Sequence, residues 1–196
     1  MVDPVVEERA LRADAQRNLG RILTAAREIF AEQGVEASVA DVAERAGVGT
    51  ATIFRRFPTK DDLLAAVVEE RLAETAEFAR KAARSKDPRQ GLKRLMSRGI
   101  ESYLRDRCFG EMTGTAVFDK PRLHELKQEV GAAIEELLCR AKEAGAVRRD
   151  VSATDIFMLF FAVASAAQKQ GPAASGAWHR YLDIVLDGLR PPPASR

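Results

Sequence analysis

Apolar residues recur at intervals of three or four along most of the chain, the spacing that places side chains on one face of an α-helix. The clearest early stripe lies within residues 15–33, and a second sustained stripe lies between Pro121 and Gly145. The alternation of apolar and polar residues that is typical of a half-buried strand does not recur. The pattern therefore predicts an all-α protein of about nine helices.

Capping residues and glycines divide this pattern into separate helices. Ser38 with Asp41 three positions later forms a near capping box, and Gly47 is a typical helix end, so together they bound a short second helix. Further helices, the last capped by Ser175, are predicted over residues 50–57, 59–84, 88–105, 121–144, 153–169 and 176–189. The weakest helical signal lies in residues 108–115, which include two glycines.

Composition and charge narrow the class of protein. The 196 residues are 46% hydrophobic and 31% charged, which is typical of a globular protein with a buried core. Lys and Arg number 31 against 29 Asp and Glu, a net charge of +2. This balance excludes a histone-like or polybasic protein held to its partner by bulk charge, but it leaves room for a local basic patch.

Candidate catalytic and metal-binding motifs are scarce. The chain has two cysteines without a CxxC pair and two histidines, too few ligands for a zinc ribbon or zinc finger. We therefore predict reduced thiols, no metal and no cofactor. The sequences GxxxxGK[ST], HExxH and GxSxG are also absent, which argues against an enzyme.

Nothing in the sequence indicates export or membrane insertion. The N-terminal residues lack the basic region and apolar stretch of a secretory signal. The longest apolar run, residues 156–164, is less than half of the roughly 20 residues that span a bilayer. We therefore expect a cytoplasmic protein that does not enter a membrane.

Three short predicted helices lie within residues 15–57, and a glycine-containing turn joins the second to the third. This is the order of a helix-turn-helix, whose second helix can enter the major groove of DNA. In that helix the inward face would consist of Val48, Ile53 and Phe57, and the outward face of Thr50, Thr52, Arg55 and Arg56. Residues 48–60 hold three basic residues and no acidic one. By spacing alone, a solvated helix in an ordinary bundle fits equally well.

The residues around this motif resemble the N-terminal domain of the TetR family of transcriptional regulators. The resemblance covers about residues 17–68 and is carried by Arg21-Ile-Leu-Thr-Ala-Ala-Arg-Glu-Ile-Phe, by Gly34 and by residues 38–64. It implies a three-helix DNA-binding domain followed by a helical bundle for ligand binding and dimerisation. The implied divisions are a flexible arm (1–14), the DNA-binding domain (15–60), the ligand-binding and dimerisation domain (61–190) and a disordered tail (191–196).

The resemblance also implies the residues that contact double-stranded DNA. They are Ser38, Val39, Gly49, Thr50, Ala51, Thr52, Phe54, Arg55, Arg56 and Lys60. Ser38 and Lys60 are expected at phosphates. Phe54 stands where the family commonly has a Tyr whose hydroxyl holds a phosphate, so that contact is lost or replaced by packing on a sugar. Arg55 either clasps a guanine edge or contacts a phosphate.

The rest of the chain is expected to form a homodimer. Residues 156–164 are apolar on all faces, so they must be covered on all faces. A second subunit is the expected cover, with the final helix beside it, and a fully internal central helix is the alternative. The predicted interface residues are Phe157, Phe160, Phe161, Trp178, Leu182, Val185, Leu186 and Leu189.

The family resemblance implies a small-molecule cavity among the middle helices. The candidate lining residues are Tyr103, Phe109, Met112, Phe118 and His124, each of which also fits a plain structural role. Cys108 is either a reactive thiol or a buried apolar residue. The few charges within the apolar faces favour a hydrophobic or aromatic effector.

These implications describe a ligand-responsive dimeric regulator, most simply a repressor that a small molecule releases from a palindromic operator. The alternative is a helical interaction protein that has lost DNA binding. Phe54 favours that alternative, whereas Arg55, Arg56 and Lys60 oppose it.

Overall fold

A computed structural model describes residues 4–105, 120–170 and 176–192, with side chains from residue 13 onward. Within these residues the backbone forms eight α-helices and no strand. The helices are α1 (Pro4–Gln33), α2 (Val39–Ala46), α3 (Thr50–Arg56), α4 (Lys60–Ala83), α5 (Pro88–Arg105), α6 (Pro121–Glu143), α7 (Ala153–Gln170) and α8 (Ala177–Gly188). The predicted all-α fold is confirmed. The weakest predicted helix, in residues 108–115, lies outside the described residues.

The first helix begins at Pro4 and not at Ala15, where the apolar stripe predicts its start. Residues 5–14 contain neither Gly nor Pro and are mostly Ala, Leu, Glu and Arg, which favour a helix. A proline at the first helical position loses no hydrogen bond, because that N–H has no partner within the helix. Residues 4–14, which the sequence predicts to be part of a flexible arm, are therefore helical in the structure.

Three helices begin at the capping boxes that the sequence predicts. At Ser38, Thr59 and Ser152, the hydroxyl oxygen accepts the amide N–H of the aspartate three positions later at 3.1 Å. The aspartate carboxylate in turn accepts the N–H of the capping residue at 2.8–3.2 Å. These reciprocal bonds satisfy amides at the start of α2, α4 and α7. The predicted cap Ser175 lies outside the described residues.

The described chain forms two compact units, the first running to Val68 and the second beginning at Glu69. This division falls within α4, whereas the boundary between residues 60 and 61 that the sequence predicts for the two functional domains stays a prediction. The first turns of α4 bury Leu63 and Leu64. Because these side chains lie in the same compact unit as α1, α2 and α3, the start of α4 packs with those helices.

The core of the first unit holds α3 in place. Helix α1 packs against α2, and α2 packs against α3. The predicted apolar stripes are buried, and this core includes Ile22, Ala26, Ile29, Phe30, Val42, Ala43 and Ile53. The inward face of α3 is therefore anchored by the same core that joins α1 to α2.

The second unit is centred on α5, which packs against α6, α7 and α8, while α7 also contacts α6 and α8. Helices α5 and α7 approach so closely at Gly99 that a Cβ there would lie 2.8 Å from Cε2 of Phe160. Arg140 of α6 donates to the carbonyls of Ala83 and Ser85, the latter at 2.7 Å, and so ties down the end of α4. Among the described helices, none has the length and apolar character needed to cross a bilayer.

Candidate nucleic-acid interface

A tight turn connects α2 to α3. Gly47 ends α2 with a φ of +64°, and its N–H donates to the carbonyls of Ala43 and Glu44. The N–H of Val48 donates to the carbonyl of Ala43 at 3.0 Å, which completes a Schellman-type helix end. Gly49 then caps α3 with extended backbone angles. Two helices joined by so short a turn form the helix-turn-helix that the sequence predicts.

Helix α3 has one buried face and one exposed face. Ile53 is fully buried and Phe57 is 9% exposed, so both anchor the helix in the core of the first unit. The exposed side chains are Thr50, Ala51, Phe54, Arg55 and Arg56, with Thr52 half-buried beside them. The predicted division holds for Ile53 and Phe57 on the inward face and for Thr50, Arg55 and Arg56 on the outward face, whereas Val48, predicted to face inward, is half-buried. Phe54 is 45% exposed, which places a large apolar ring among the outward polar groups.

The two residues expected at phosphates, Lys60 and Ser38, differ in solvent exposure and in the hydrogen bonds that they already make. Lys60 is the first residue of α4 and is half-buried. The Ser38 hydroxyl is exposed, but it donates its only proton to the Asp41 carboxylate at 2.8 Å. A phosphate oxygen at Ser38 would have to displace that carboxylate. The structure therefore favours the exposed backbone, and not the hydroxyl, for any contact at the start of α2.

The expected contact of Val39 with DNA stays a prediction, and burial of its side chain restricts how it could be made. Val39 is 9% exposed, because the first turn of α2 directs it into the core of the first unit. A contact between Val39 and a phosphate would therefore have to use its backbone amide. Gly49 is exposed, and it likewise offers DNA only its backbone.

Two arginines of α3 border a groove that α1 helps to form. Arg55, Arg56 and Thr52 line one side of it, and the α1 residues on the other side are Ala15, Gln16, Asn18, Leu19 and Ile22. The polar members from α1 were missed by sequence reasoning. Gln16 and Asn18 lie outside the resemblance's DNA-contacting set, and only the packing of α1 beside α3 reveals their position.

A second polar junction joins α1 to α2. Arg21 of α1 donates from Nη2 to the carbonyl of Ala46 at 2.5 Å and to that of Gly47 at 3.4 Å. Arg45 of α2 pairs with Glu28 at 3.2 Å and with Glu32 at 3.1 Å. The hydrogen bond from Arg45, and then its charge, hold the pKa of Glu32 below its ordinary value. Sequence reasoning gave Arg21 no role, although a basic residue beside the first buried isoleucine of the stripe was visible.

The predicted effector residues are only partly described. Tyr103 is buried, and its ring makes edge-to-face contacts with Phe160 and Phe161 at centroid distances of 6.3 and 5.9 Å. His124 is exposed on α6, where its Nε2 lies 2.9 Å from the side-chain nitrogen of Gln128. Phe109, Met112, Phe118 and Cys108 lie outside the described residues. The assembly of an effector site from this set stays a prediction.

The predicted dimer interface needs a correction on α8. Trp178, Leu182, Leu186 and Leu189 are at most 7% exposed within a single subunit, so they form its own core and are not free for a partner. The apolar side chains that α8 exposes are instead Tyr181 and Ile184, at 36% and 57%. The error arose because α8 carries apolar residues on two faces, and its stronger stripe is the internal one.

On α7 the prediction fits better. Phe157 is 51% exposed, as expected for an interface residue, and Met158 beside it is 62% exposed. Phe160 and Phe161 are half-buried, as is Val185 of α8. Helix α7 is therefore not covered on all faces by its own subunit.

Comparisons with known proteins agree with this arrangement. The model of bacterial regulatory proteins of the tetR family matches residues 22–67, and the model described as transcriptional regulator SbtR-like, C-terminal domain, matches residues 87–191. The TetR transcription regulatory protein from Mycobacterium vanbaalenii is 31% identical, with a TM-score of 0.64 over 92% of this chain and 99% of that one.

Two further proteins are similar to this chain, one over a third of its sequence and one in fold. The HTH-type transcriptional repressor Rv3405c of Mycobacterium tuberculosis is 37% identical over 67 residues, 34% of this chain and 36% of that protein, so the match spans about a third of the curated relatives. FadR of Bacillus subtilis, solved in complex with stearoyl-CoA, is 18% identical with a TM-score of 0.68, over 88% of this chain and 100% of that one, and shows the fold alone.

The two family models together cover the helix-turn-helix and most of the second unit. Helix α2, the turn and α3 lie within residues 22–67, the segment that the tetR family model matches. This chain belongs to the TetR family of bacterial transcriptional regulators.

Proposed function

We propose that this chain is a dimeric transcriptional repressor that binds a palindromic operator and leaves it when a small apolar molecule binds the second unit. In this proposal residues 15–60 hold the DNA-binding helices, and residues 61–190 serve dimerisation and effector binding. The observation that carries the proposal is the exposed face of α3. It presents Arg55 and Arg56 on a helix whose opposite face is anchored by Ile53.

The charge of this face suits DNA. Residues 48–60 contain Arg55, Arg56 and Lys60 and no carboxylate. The major groove, about 12 Å wide, accepts one helix. Arg55 and Arg56 would reach base edges or phosphates, whereas Lys60 at the start of α4 would neutralise a phosphate. Because the overall charge is only +2, attraction to DNA would come from this local cluster.

Dimerisation would use an exposed apolar surface on α7 and α8, which we call the α7–α8 face and define as Phe157, Met158, Tyr181 and Ile184. The inward side of α8 is already occupied, because Trp178, Leu182 and Leu186 are buried in the core, and on a further side Asp183 and Asp187 pair with Lys93 and Arg89 of α5 at 2.5 and 2.7 Å. Two copies of the face would form a four-helix bundle around a two-fold axis.

A two-fold axis sets the symmetry of the operator. Two α3 helices related by that axis would read two equivalent half-sites, and the operator would be a palindrome. Their centres would lie about one helical turn apart, roughly 34–36 Å, or somewhat more.

The expected class of effector follows from the aromatic content of the second unit. Tyr103, Phe157, Phe160 and Phe161 form one cluster, in which Phe157 and Phe161 are in edge-to-face contact at 4.7 Å. Aromatic side chains favour apolar and aromatic ligands. Such a ligand would release DNA only through a higher affinity for the conformation that does not bind the operator.

The competing proposal is an interaction protein without DNA binding, and Phe54 is the observation in its favour. Its exposed ring lacks the hydroxyl that would hold a phosphate. Against it, Arg55, Arg56 and Lys60 are retained in a segment without a carboxylate, which suits a phosphate backbone.

Binding to DNA that flanks the chain's own gene tests the proposal. We expect gel shifts that footprinting narrows to a palindromic duplex, here called the footprinted duplex. Lys60→Ala should weaken binding to all sequences and reduce the salt dependence by about one ion per half-site. Arg55→Ala should cost about 1–3 kcal/mol per half-site and relax preference at one base pair.

Arg149→Ala, which removes an exposed arginine from the second unit, is the matched control and should change neither quantity. If no flanking duplex is retained while the protein is folded, the interaction protein is the better description. If Arg55→Ala lowers specific and nonspecific affinity equally, Arg55 contacts a phosphate and base reading passes to Arg56, Thr50 or Thr52.

A further inference from the structure

We propose that Arg21 is a positioning residue that fixes the orientation of α3 by holding the end of α2. It would act through the backbone of the turn and not by touching a base. The inference rests on the proposed DNA binding by α3, and it concerns a residue of α1 that lies outside the helix-turn-helix itself.

The first support is the hydrogen bond that Arg21 makes. Its Nη2 donates to the carbonyl of Ala46, the last residue of α2, at 2.5 Å. The last four carbonyls of a helix have no partner within it, and the C-terminus carries partial negative charge. A guanidinium at this point therefore satisfies a backbone acceptor and complements the helix dipole at once.

The second support is the fit between Arg21 and Gly47. A Cβ on residue 47 would lie 2.8 Å from Nη2 of Arg21, which is closer than real Cβ contacts. Gly47 also has a φ of +64°, a conformation that L side chains rarely adopt. The positive φ is what requires glycine here, while the missing side chain also leaves Nη2 of Arg21 its present position, from which a Cβ would displace only the flexible end of that side chain.

The third support is the shortness of the connection. Residues 47–49 are all that lies between the end of α2 and the start of α3. A shift at the carbonyl of Ala46 would therefore pass directly to α3. The neighbouring pairs of Arg45 with Glu28 and Glu32 are exposed ion pairs between side chains, which constrain a helix only weakly. Arg21 is also exposed, but its hydrogen bond to the backbone carbonyl of Ala46 is part-buried. Arg21 makes the charged hydrogen bond to the backbone at this junction.

Affinity for the footprinted duplex, measured by fluorescence anisotropy at several salt concentrations, tests the positioning role. Arg21→Ala should lower affinity about tenfold, because a hydrogen bond from a charged group is lost. The slope of log affinity against log salt should stay at its wild-type value, since no phosphate contact is removed. Arg149→Ala is the matched loss of one arginine and should leave affinity unchanged.

Two results of this measurement would overturn the inference. A slope reduced by about one ion per half-site, as for Lys60→Ala, would make Arg21 a phosphate contact. An affinity equal to that of the wild type would remove any role in positioning.

A double-mutant cycle with Gly47→Ala separates this role from a general loss of stability. In the wild-type background, Gly47→Ala strains the backbone and also displaces Arg21. In the Arg21→Ala background it only strains the backbone, so its effect on affinity should be several-fold smaller. Equal effects in the two backgrounds would show that Arg21 and Gly47 act independently and would contradict the positioning role of Arg21.

Hydrogen exchange on the free protein tests the same contact without DNA. The N–H groups of Val48 and Thr52 donate to Ala43 and Gly49 at 3.0 and 2.9 Å. Arg21→Ala should speed their exchange several-fold and leave the amides of α6 unchanged. Unchanged exchange rates at Val48 and Thr52 would refute the positioning role of Arg21. If the wild type binds no duplex, the proposed function fails, and this measurement still decides the role of Arg21.

Discussion

Replacing Ile184 with glutamate tests the proposed α7–α8 face, because this side chain is 57% exposed in a single subunit. Fully burying an isoleucine contributes about 1.5–3 kcal/mol, so covering the exposed part contributes about 1–1.5 kcal/mol in each subunit. Two-fold symmetry doubles this to about 2–3 kcal/mol. A buried, unpaired carboxylate adds a penalty of at least about 1 kcal/mol at each of the two sites.

The sum, about 4 kcal/mol or more, corresponds to a loss of about a thousandfold in the dimerisation constant. Sedimentation velocity across a range of protein concentrations measures that constant directly. Ile184→Glu should sediment as a folded monomer at micromolar concentration, where we expect the wild type to be a dimer. Circular dichroism should show wild-type helix content, since Ile184 is not part of the subunit's core.

Ala132→Glu is the matched control, because it places the same carboxylate on an exposed position of α6. It should leave the dimer intact. Leu186→Glu is not a useful control, since Leu186 is only 4% exposed and the change would disturb the subunit itself. A wild-type monomer, or an Ile184→Glu variant that dimerises as tightly as the wild type, would refute the α7–α8 face.

Three further predictions concern stability and thiol chemistry. Gly91→Ala should destabilise the fold by about 1–3 kcal/mol in urea unfolding, because its Cβ would lie 2.7 Å from the Ala82 carbonyl. Gly131→Ala, with nothing within 4 Å, should instead stabilise by about 0.5–1 kcal/mol, and equal effects would contradict the packing. Because hydrogen bonds from Ser152 lower the pKa of Asp155, its contribution is complete above the ordinary carboxyl pKa and is lost as pH falls through the folded value. The difference in thermal stability between wild type and Asp155→Asn should therefore shrink on acidification, and a constant difference would oppose this reasoning. Glu143, by its hydrogen bond and charge, raises the pKa of the Cys139 thiol, so Glu143→Gln should speed alkylation of Cys139 by iodoacetamide in peptide mapping, and an unchanged rate would contradict it.

Local signals explain most of what the sequence predicts correctly. The capping boxes at Ser38, Thr59 and Ser152 depend on residues three positions apart, so a linear reading is enough to find them. The inward side of α3 is equally local, because helical spacing alone puts Ile53 and Phe57 on one face. The start of α1 was missed since the apolar stripe begins late, whereas helix propensity continues back to Pro4.

Periodicity identifies an apolar face but not what covers it. Trp178 and Leu182 were therefore assigned to a partner, although the subunit's own core buries them. The contact of Arg21 with Ala46 joins residues 25 positions apart, and no pattern within a single helix reveals it. Val39 illustrates a related point: its place in the motif is known from the chain, but the direction of its side chain is set by packing.

Selection from a pool of random duplexes tests the central claim most directly, because it needs no knowledge of the target genes. The wild type should enrich a palindromic sequence whose half-site centres lie about one helical turn apart or somewhat more. Arg55→Ala or Arg56→Ala, selected in parallel, should enrich a sequence with a relaxed base preference in each half-site. A folded wild-type protein that enriches no sequence, or one whose enriched sequence is unchanged by both substitutions, would contradict DNA reading by α3.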